Sequence, residues 1–220
     1  MSAGGNGSDT AGRRFDGVLF DLLTGLLDSW SLWDAVAGSP TAGRAWRHEY
    51  LVLTYGAGSY QPYVGLVAEA ARRKGLPPHI ADDLVARWDE LEPWPEVPGA
   101  LRAIAGGFAL GVVTNCSEDL GHRAAARIDT SFDVVVTAES AGSYKPRPEP
   151  YQHALAKLGL PAERVLFVAG SYYDLQGATG AGMSVWWHNR IGMSSPSASA
   201  PAAEHNTLHT LPQYLARREM

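Results

Sequence analysis

The chain has 220 residues, 45% of them apolar and 10% aromatic, with 18 Lys and Arg against 23 Asp and Glu for a formal charge of -5. This length holds one elaborated domain or a core with a small insertion, and the apolar share excludes a generally disordered chain. The acidic balance excludes a broad nucleic-acid-binding face, which needs clustered positive charge, but leaves room for a local basic pocket. The single cysteine, Cys116, forms no internal disulfide and fits a reducing compartment. The apolar run after Arg13-Arg14 contains Asp16 and Asp21, too polar for a signal peptide, so residues 1–14 are expected to be a flexible tail on a cytoplasmic protein. No run approaches the roughly 18 to 20 uninterrupted apolar residues that span a bilayer.

In chain order, the first strand run is Val18-Leu19-Phe20. The stretch from Trp30 to Pro95 shows no strand run; Trp46, Tyr50 and Leu53 mark one helix, and Ile80, Leu84, Trp88 and Leu91 another. Pro93, Pro95 and Pro98 then return the chain to further strand runs at Ala109 to Val113, Val134 to Val136, Val165 to Val168 and Ser184 to Trp187. Between these, Ser117 caps a helix carrying Leu120, Ala124 and Ile128, and Pro148 opens one carrying Tyr151, Leu155 and Leu158 that stops before Gly159. The Ser/Ala/Pro-rich segment Ser194 to Ala203 reads as a surface loop, and adjacent Trp186 and Trp187 as core residues on opposite faces of a strand. Short apolar runs alternating with helices predict an α/β doubly wound parallel sheet, with a core over 15–29 and 96–220 and a helical insertion over 30–95.

Open α/β sheets place their sites at the C-terminal ends of the strands. Asp21 ends the first run, Thr114-Asn115 the second, Lys145 lies just beyond the third, and Ser171 and Asp174 follow the fourth. Two carboxylates, an ammonium and a hydroxyl-amide pair are thus expected in one crevice. The plainer alternatives are an ordinary Lys145–Asp174 ion pair, a helix cap at Thr114-Asn115, and, for Arg47, a solvated salt bridge with Glu49. Cys116 has no base beside it and reads as buried, and the seven His show no ligand spacing, so no metal is expected.

These motifs resemble those of the haloacid dehalogenase superfamily: Phe20 to Asp28 its first, Val113-Thr114-Asn115 its second, Lys145-Pro146 its third and Phe167 to Asp174 its fourth. The resemblance implies a Rossmann-like core with a helical cap inserted after the first motif. Most members are magnesium-dependent phosphatases, with an Asp two residues after the nucleophile and a metal-binding Asp in the fourth motif; here those places are Leu23 and Gly170. Halide displacement needs neither, because a halide leaves without a proton and there is no phosphate to neutralise.

The L-2-haloacid dehalogenase branch is the nearer resemblance. It implies Asp21 as nucleophile and Lys145 as the cation that keeps Asp21 ionised. Thr114 and Asn115 would bind the substrate carboxylate, Arg47 of Trp46-Arg47 with Leu51 would cradle the halide, and Asp174 with Ser171 would activate water. Leu23, Trp46, Leu51, Tyr151 and Tyr173 would line the substrate, a small 2-substituted carboxylic acid. Trp187 to Gly192 resembles the strand and turn near the end of that branch's core. No cofactor is implied, and a homodimer stays open because dimers are common in that branch. Thr24-Gly25 inverts the usual Gly-Thr, Ser171 replaces an Asn and Ala169 a Ser. A different leaving group, from an azetidine-2-carboxylate ring or a phosphate ester, and a degenerate non-catalytic member are the alternatives.

Overall fold

The computed structural model describes residues 12–195 and 200–217. Up to residue 11 the expected tail lies outside the described residues, as do residues 196–199 of the expected loop. From Arg13 the chain is fastened: its guanidinium donates to Gly107 O (2.8 Å) and lies over the Phe108 ring, and Arg164 donates to Arg13 O (2.6 Å).

Six parallel strands form one sheet in the order β3-β2-β1-β4-β5-β6. They are β1 (Gly17–Asp21), β2 (Ala109–Thr114), β3 (Val134–Thr137), β4 (Val165–Ala169), β5 (Ser184–His188) and β6 (Ala203–His205). The five expected runs are all strands, and every residue of β1 and β4 is buried, as a sheet covered on both faces requires. A sixth, unexpected strand follows the expected loop and takes only its last residue: Ala203, Glu204 and His205 pair with Trp186, Trp187 and His188 at the sheet edge. A three-residue edge strand with Glu204 and His205 exposed has no apolar run to betray it. Trp186 and Trp187 do take opposite faces, each joining a different apolar cluster.

Between β1 and β2 run α1 (Ser29–Val36), α2 (Pro40–Gly56), α3 (Tyr63–Arg73) and α4 (Ile80–Ala86), the helical cap. Asp28 and Ser39 cap the first two by accepting from Ser31 N (3.1 Å) and Ala42 N (3.2 Å). The helix expected to carry Ile80 through Leu91 ends instead at Ala86, and a tighter 3-10 turn holds Trp88–Glu90. The apolar spacing survives because the turn still buries Trp88 and Leu91, with Trp88 Nε1 donating to Leu120 O (2.8 Å).

The remaining helices are α5 (Val97–Ile104), α6 (Glu118–Ala125), α7 (Ala138–Ala141), α8 (Pro148–Leu158), α9 (Tyr173–Gly180) and α10 (Leu211–Leu215). Pro98 sits in the first turn of α5, where a missing N–H is harmless, so it opens a core helix as well as following the cap. The α6 start departs from expectation, since Ser117 makes no side-chain cap and Glu139 accepts from Glu118 N (2.7 Å) instead. The α8 helix starts and stops as expected, with Gly159 in the left-handed conformation at φ 67°. Cap and core join where Leu27 and Pro93 form an antiparallel bridge, flanked by Asp28 N to Glu92 O (2.8 Å) and Trp94 N to Leu26 O (3.0 Å).

Candidate active site

β1 lies between β2 and β4, where the strand order reverses, so its C-terminal end opens into the crevice of the sheet. There Asp21 caps a wide helical turn, Leu22–Leu26. Its Oδ2 accepts from Thr24 N (2.9 Å), Gly25 N (3.0 Å) and the Thr24 hydroxyl. First-turn N–H groups have no partner within a helix, and here they converge on a carboxylate. Behind the turn, Trp94 Nε1 donates to Thr24 O (3.1 Å) and His188 Nδ1 to Gly25 O (2.8 Å). The turn also packs directly on Gly170 after β4, where a Cβ would collide with Gly25 N, Thr24 Oγ1 and Thr24 C.

The other carboxylate oxygen, Asp21 Oδ1, accepts from Lys145 Nζ (2.8 Å). The same ammonium lies 3.1 Å from Asp174 Oδ1, and Tyr151 Oη donates to that oxygen (2.7 Å). All three charged groups are buried. Asn115 clamps the Lys145 backbone, accepting from Lys145 N (2.7 Å) and donating to Lys145 O (3.0 Å). Burial opposes ionisation of Asp21, yet the Lys145 charge and hydrogen bonds from Lys145 and Thr24 outweigh it and hold its pKa below the ordinary 3.8. At Asp174 the balance falls the other way: burial, reinforced by the Asp21 charge, raises the pKa despite Lys145 and Tyr151. Lys145 is desolvated too, but its two carboxylate neighbours raise its pKa.

The cap supplies the opposite wall. Arg47 on α2 is buried; its Nη1 donates to Ser29 Oγ (2.7 Å), and that hydroxyl donates to Leu23 O. The guanidinium lies 4.1 Å from the Trp30 ring centroid and 5.6 Å from that of Trp33. Among the described residues no carboxylate is within salt-bridge reach of Arg47, while Glu49 faces Arg73 (3.2 Å) and Lys74 (2.8 Å), which removes the surface salt-bridge reading. Burial lowers the Arg47 pKa, but a guanidinium keeps its charge, so a buried cation faces a cavity without a counter-ion.

That cavity, about 600 Å³ including its mouth, is lined by nine expected residues, Asp21, Leu23, Arg47, Leu51, Asn115, Lys145, Ser171, Tyr173 and Asp174. Three expected residues stand elsewhere. Trp46 is buried within the cap, its Nε1 donating to Val67 O (2.9 Å), because neighbouring residues of a helix cannot share a face with Arg47. Thr114 is fully buried with its hydroxyl 3.6 Å from Cys116 Sγ, since successive residues leaving a strand point to opposite sides. Tyr151 lies behind Asp174 and holds it from below. Burial pushes the Cys116 thiol up to about 12, so it stays protonated.

The sequence reading missed Thr24, Trp30, Trp33, Tyr50, Tyr55 and Tyr63 as cavity residues. For Thr24 a signal was present: a hydroxyl three residues after an Asp is the spacing of a helix cap. The cap aromatics carry no such local signal, because only the crossing of α1, α2 and α3 brings them together.

Among the described residues no cluster of three His, Cys, Asp or Glu is placed to hold a metal ion, and no helix is long and apolar enough to cross a membrane. Comparison with known proteins agrees with the geometry. The family model described as haloacid dehalogenase-like hydrolase matches residues 15–182. Haloacetate dehalogenase H-2 of Moraxella sp. (strain B) is 29% identical over 199 residues, covering 83% of this chain and 89% of that protein. The (S)-2-haloacid dehalogenase H-109 of Pseudomonas putida is 29% identical over 197 residues, covering 82% and 88%. The crystal structure of the L-2-haloacid dehalogenase RSc1362 superposes with a TM-score of 0.82 at 28% identity, covering 92% of this chain and 99% of that one. With its capped parallel sheet and its carboxylate at the end of the central strand, the chain belongs to the haloacid dehalogenase-like hydrolases.

Proposed function

We propose that the chain is a hydrolytic dehalogenase that converts short (S)-2-haloalkanoic acids into (R)-2-hydroxy acids through an ester on Asp21. The observation that carries this reading is the pairing of Asp21 with Lys145 beneath a buried Arg47 that no carboxylate among the described residues pairs with. Asp21 Oδ2 is tied down by three donors, which leaves Oδ1 as the attacking oxygen. Oδ1 forms a bond to C2 from the side opposite the halogen as the carbon-halogen bond breaks, and inversion follows from that approach. The halide leaves towards Arg47, while Asn115 and Ser171, the core-side polar groups at the cavity, take the substrate carboxylate.

For the second half, Asp174 takes a proton from a water, and the resulting hydroxide adds to the Asp21 carbonyl carbon. The oxyanion forms on Oδ2, where Thr24 N and Gly25 N already converge. Collapse breaks the bond between that carbon and Oδ1 of the ester, and the departing alkoxide takes the proton held by Asp174. The regenerated Asp21 carboxyl releases the remaining proton, so the net products are hydroxy acid, halide and a proton.

The phosphatase alternative fares worse on the same geometry. Leu23 has no proton to give a leaving alcohol, Gly170 has no room for the Cβ of an aspartate, and Lys145 already bridges both carboxylates. The reading therefore includes independence from metal ions and a cytoplasmic setting in which the Cys116 thiol stays reduced. Its test is chloride release from (S)-2-chloropropionate with and without EDTA. Release of (R)-lactate unaffected by EDTA is expected; no release from any small 2-haloacid refutes it. In the same assay Thr24→Val, which keeps the volume and removes one donor to Asp21, lowers kcat about 10²-fold.

A further inference from the structure

Among the described residues three donors in the cap wall, Trp33 Nε1, Tyr63 Oη and Tyr55 Oη, have nothing to donate to. Trp33 Nε1 and Tyr63 Oη line the cavity, belong to side chains that are 2% and 1% exposed, and have no hydrogen-bond partner. Three other ring-borne donors nearby are engaged, Trp46 Nε1 with Val67 O, Trp88 Nε1 with Leu120 O and Tyr50 Oη with Asn115 O, while the ring of Tyr55 packs against Tyr173 (5.1 Å). A buried donor left without an acceptor is unfavourable, so orphaned donors on residues that line one cavity point to an acceptor that arrives with the ligand.

Trp33 and Tyr63 adjoin Arg47. The guanidinium lies 5.6 Å from the Trp33 ring centroid, Trp33 packs against Tyr50 (5.7 Å) and Tyr50 against Tyr63 (5.4 Å), and Tyr63 is within electrostatic reach of Arg47. A cation with flanking N–H and O–H donors differs in kind from a cation among bare rings. Chloride and bromide are large and diffuse, and a guanidinium with polarizable aromatic faces satisfies them. Fluoride is small, concentrates its charge and accepts hydrogen bonds strongly; it leaves carbon in a water-poor site only where donors replace the hydration it would otherwise have.

We propose that Trp33, Tyr63 and Arg47 together form a leaving-group pocket for fluoride, so that the chain cleaves 2-fluoroalkanoates as well as their chloro counterparts; this rests on the dehalogenase reading above. In the step, the bond from Asp21 Oδ1 to C2 forms as the carbon-fluorine bond breaks, and the electron pair departs with fluoride. Neither donor transfers its proton: the indole N–H is far too weak an acid, and burial raises the Tyr63 phenol pKa well above its ordinary value.

The experiment measures fluoride release from fluoroacetate and chloride release from chloroacetate, for the wild type and for Tyr63→Phe and Trp33→Phe. The wild type is expected to release both halides. Each variant is expected to lower the ratio of kcat/KM for fluoroacetate to that for chloroacetate by about 10-fold or more, with its chloride release showing that it is folded. Chloride release without fluoride release from the wild type overturns the proposal and leaves the dehalogenase reading standing. Equal losses on both substrates in Tyr63→Phe and Trp33→Phe also overturn it. Release of neither halide by the wild type refutes the dehalogenase reading itself.

Discussion

Asp174→Asn is expected to release one equivalent of chloride per protein molecule from 2-chloropropionate and then stall, while Asp21→Asn is expected to release none. The two results follow from the division of the triad: Lys145 touches both carboxylates, but only Asp21 is held by the first-turn N–H groups, and only Asp174 has the raised pKa of a proton acceptor. Asn at 174 keeps an oxygen for Tyr151 Oη and leaves the first displacement intact, but it cannot take a proton from water. The steady-state rate is therefore expected to fall about 10⁴-fold while a burst remains. Loss of the nucleophile removes about 10⁶-fold, leaving no burst at all. Mass spectrometry of the stalled Asp174→Asn protein should find the added acid on Asp21. A burst in Asp21→Asn, or an adduct on another residue, excludes Asp21 as the nucleophile.

Lys145→Met has the second large effect, on stability as well as on turnover. The substitution keeps the volume of the stem and leaves two buried carboxylates without the cation between them. Removing one partner of such a buried set costs about 3–5 kcal/mol. The penalty is pH-dependent, and its sign is fixed: without Lys145 both carboxyls have folded pKa values above their unfolded ones. The cost is then full above the folded values and fades as pH falls towards the unfolded range near about 4. Urea unfolding of wild type and variant at pH 7.5 and at pH 5 should show the gap narrowing in acid. A gap independent of pH means that charge is not what Lys145 contributes.

How far the sequence discloses this depends on where each determinant resides. Buried strands are legible because a parallel sheet needs apolar residues on both faces, which is why Val165 to Val168 reads as β4; Ala203–His205 does not, because its pairing is decided by its neighbour β5. Asp21, Lys145 and Asp174 are legible because strand ends converge by topology alone. Trp46 and Arg47 show the limit: adjacency in sequence reads as a shared role, but a helix turns about 100° per residue and only one of them meets the cavity. Thr114 and Asn115 are divided in the same way at the end of β2. Trp33 and Tyr63 are beyond reach from sequence, because their meeting depends on how three helices cross.

The bridge between Leu27 and Pro93 brings the two ends of the helical insertion side by side. To the sheet, the insertion enters and leaves at one point like the tip of a hairpin, and its further ties to the core are side-chain contacts such as Trp88 Nε1 to Leu120 O and Tyr50 Oη to Asn115 O. The proposed nucleophile Asp21, with Lys145 and Asp174, belongs to the core, and the Arg47 wall proposed to receive the departing anion belongs to the insertion. Leaving-group preference is in this sense a detachable property of the architecture. A cap transplanted between the residues flanking that bridge is expected to re-specify the leaving group while the proposed ester on Asp21 is resolved as before.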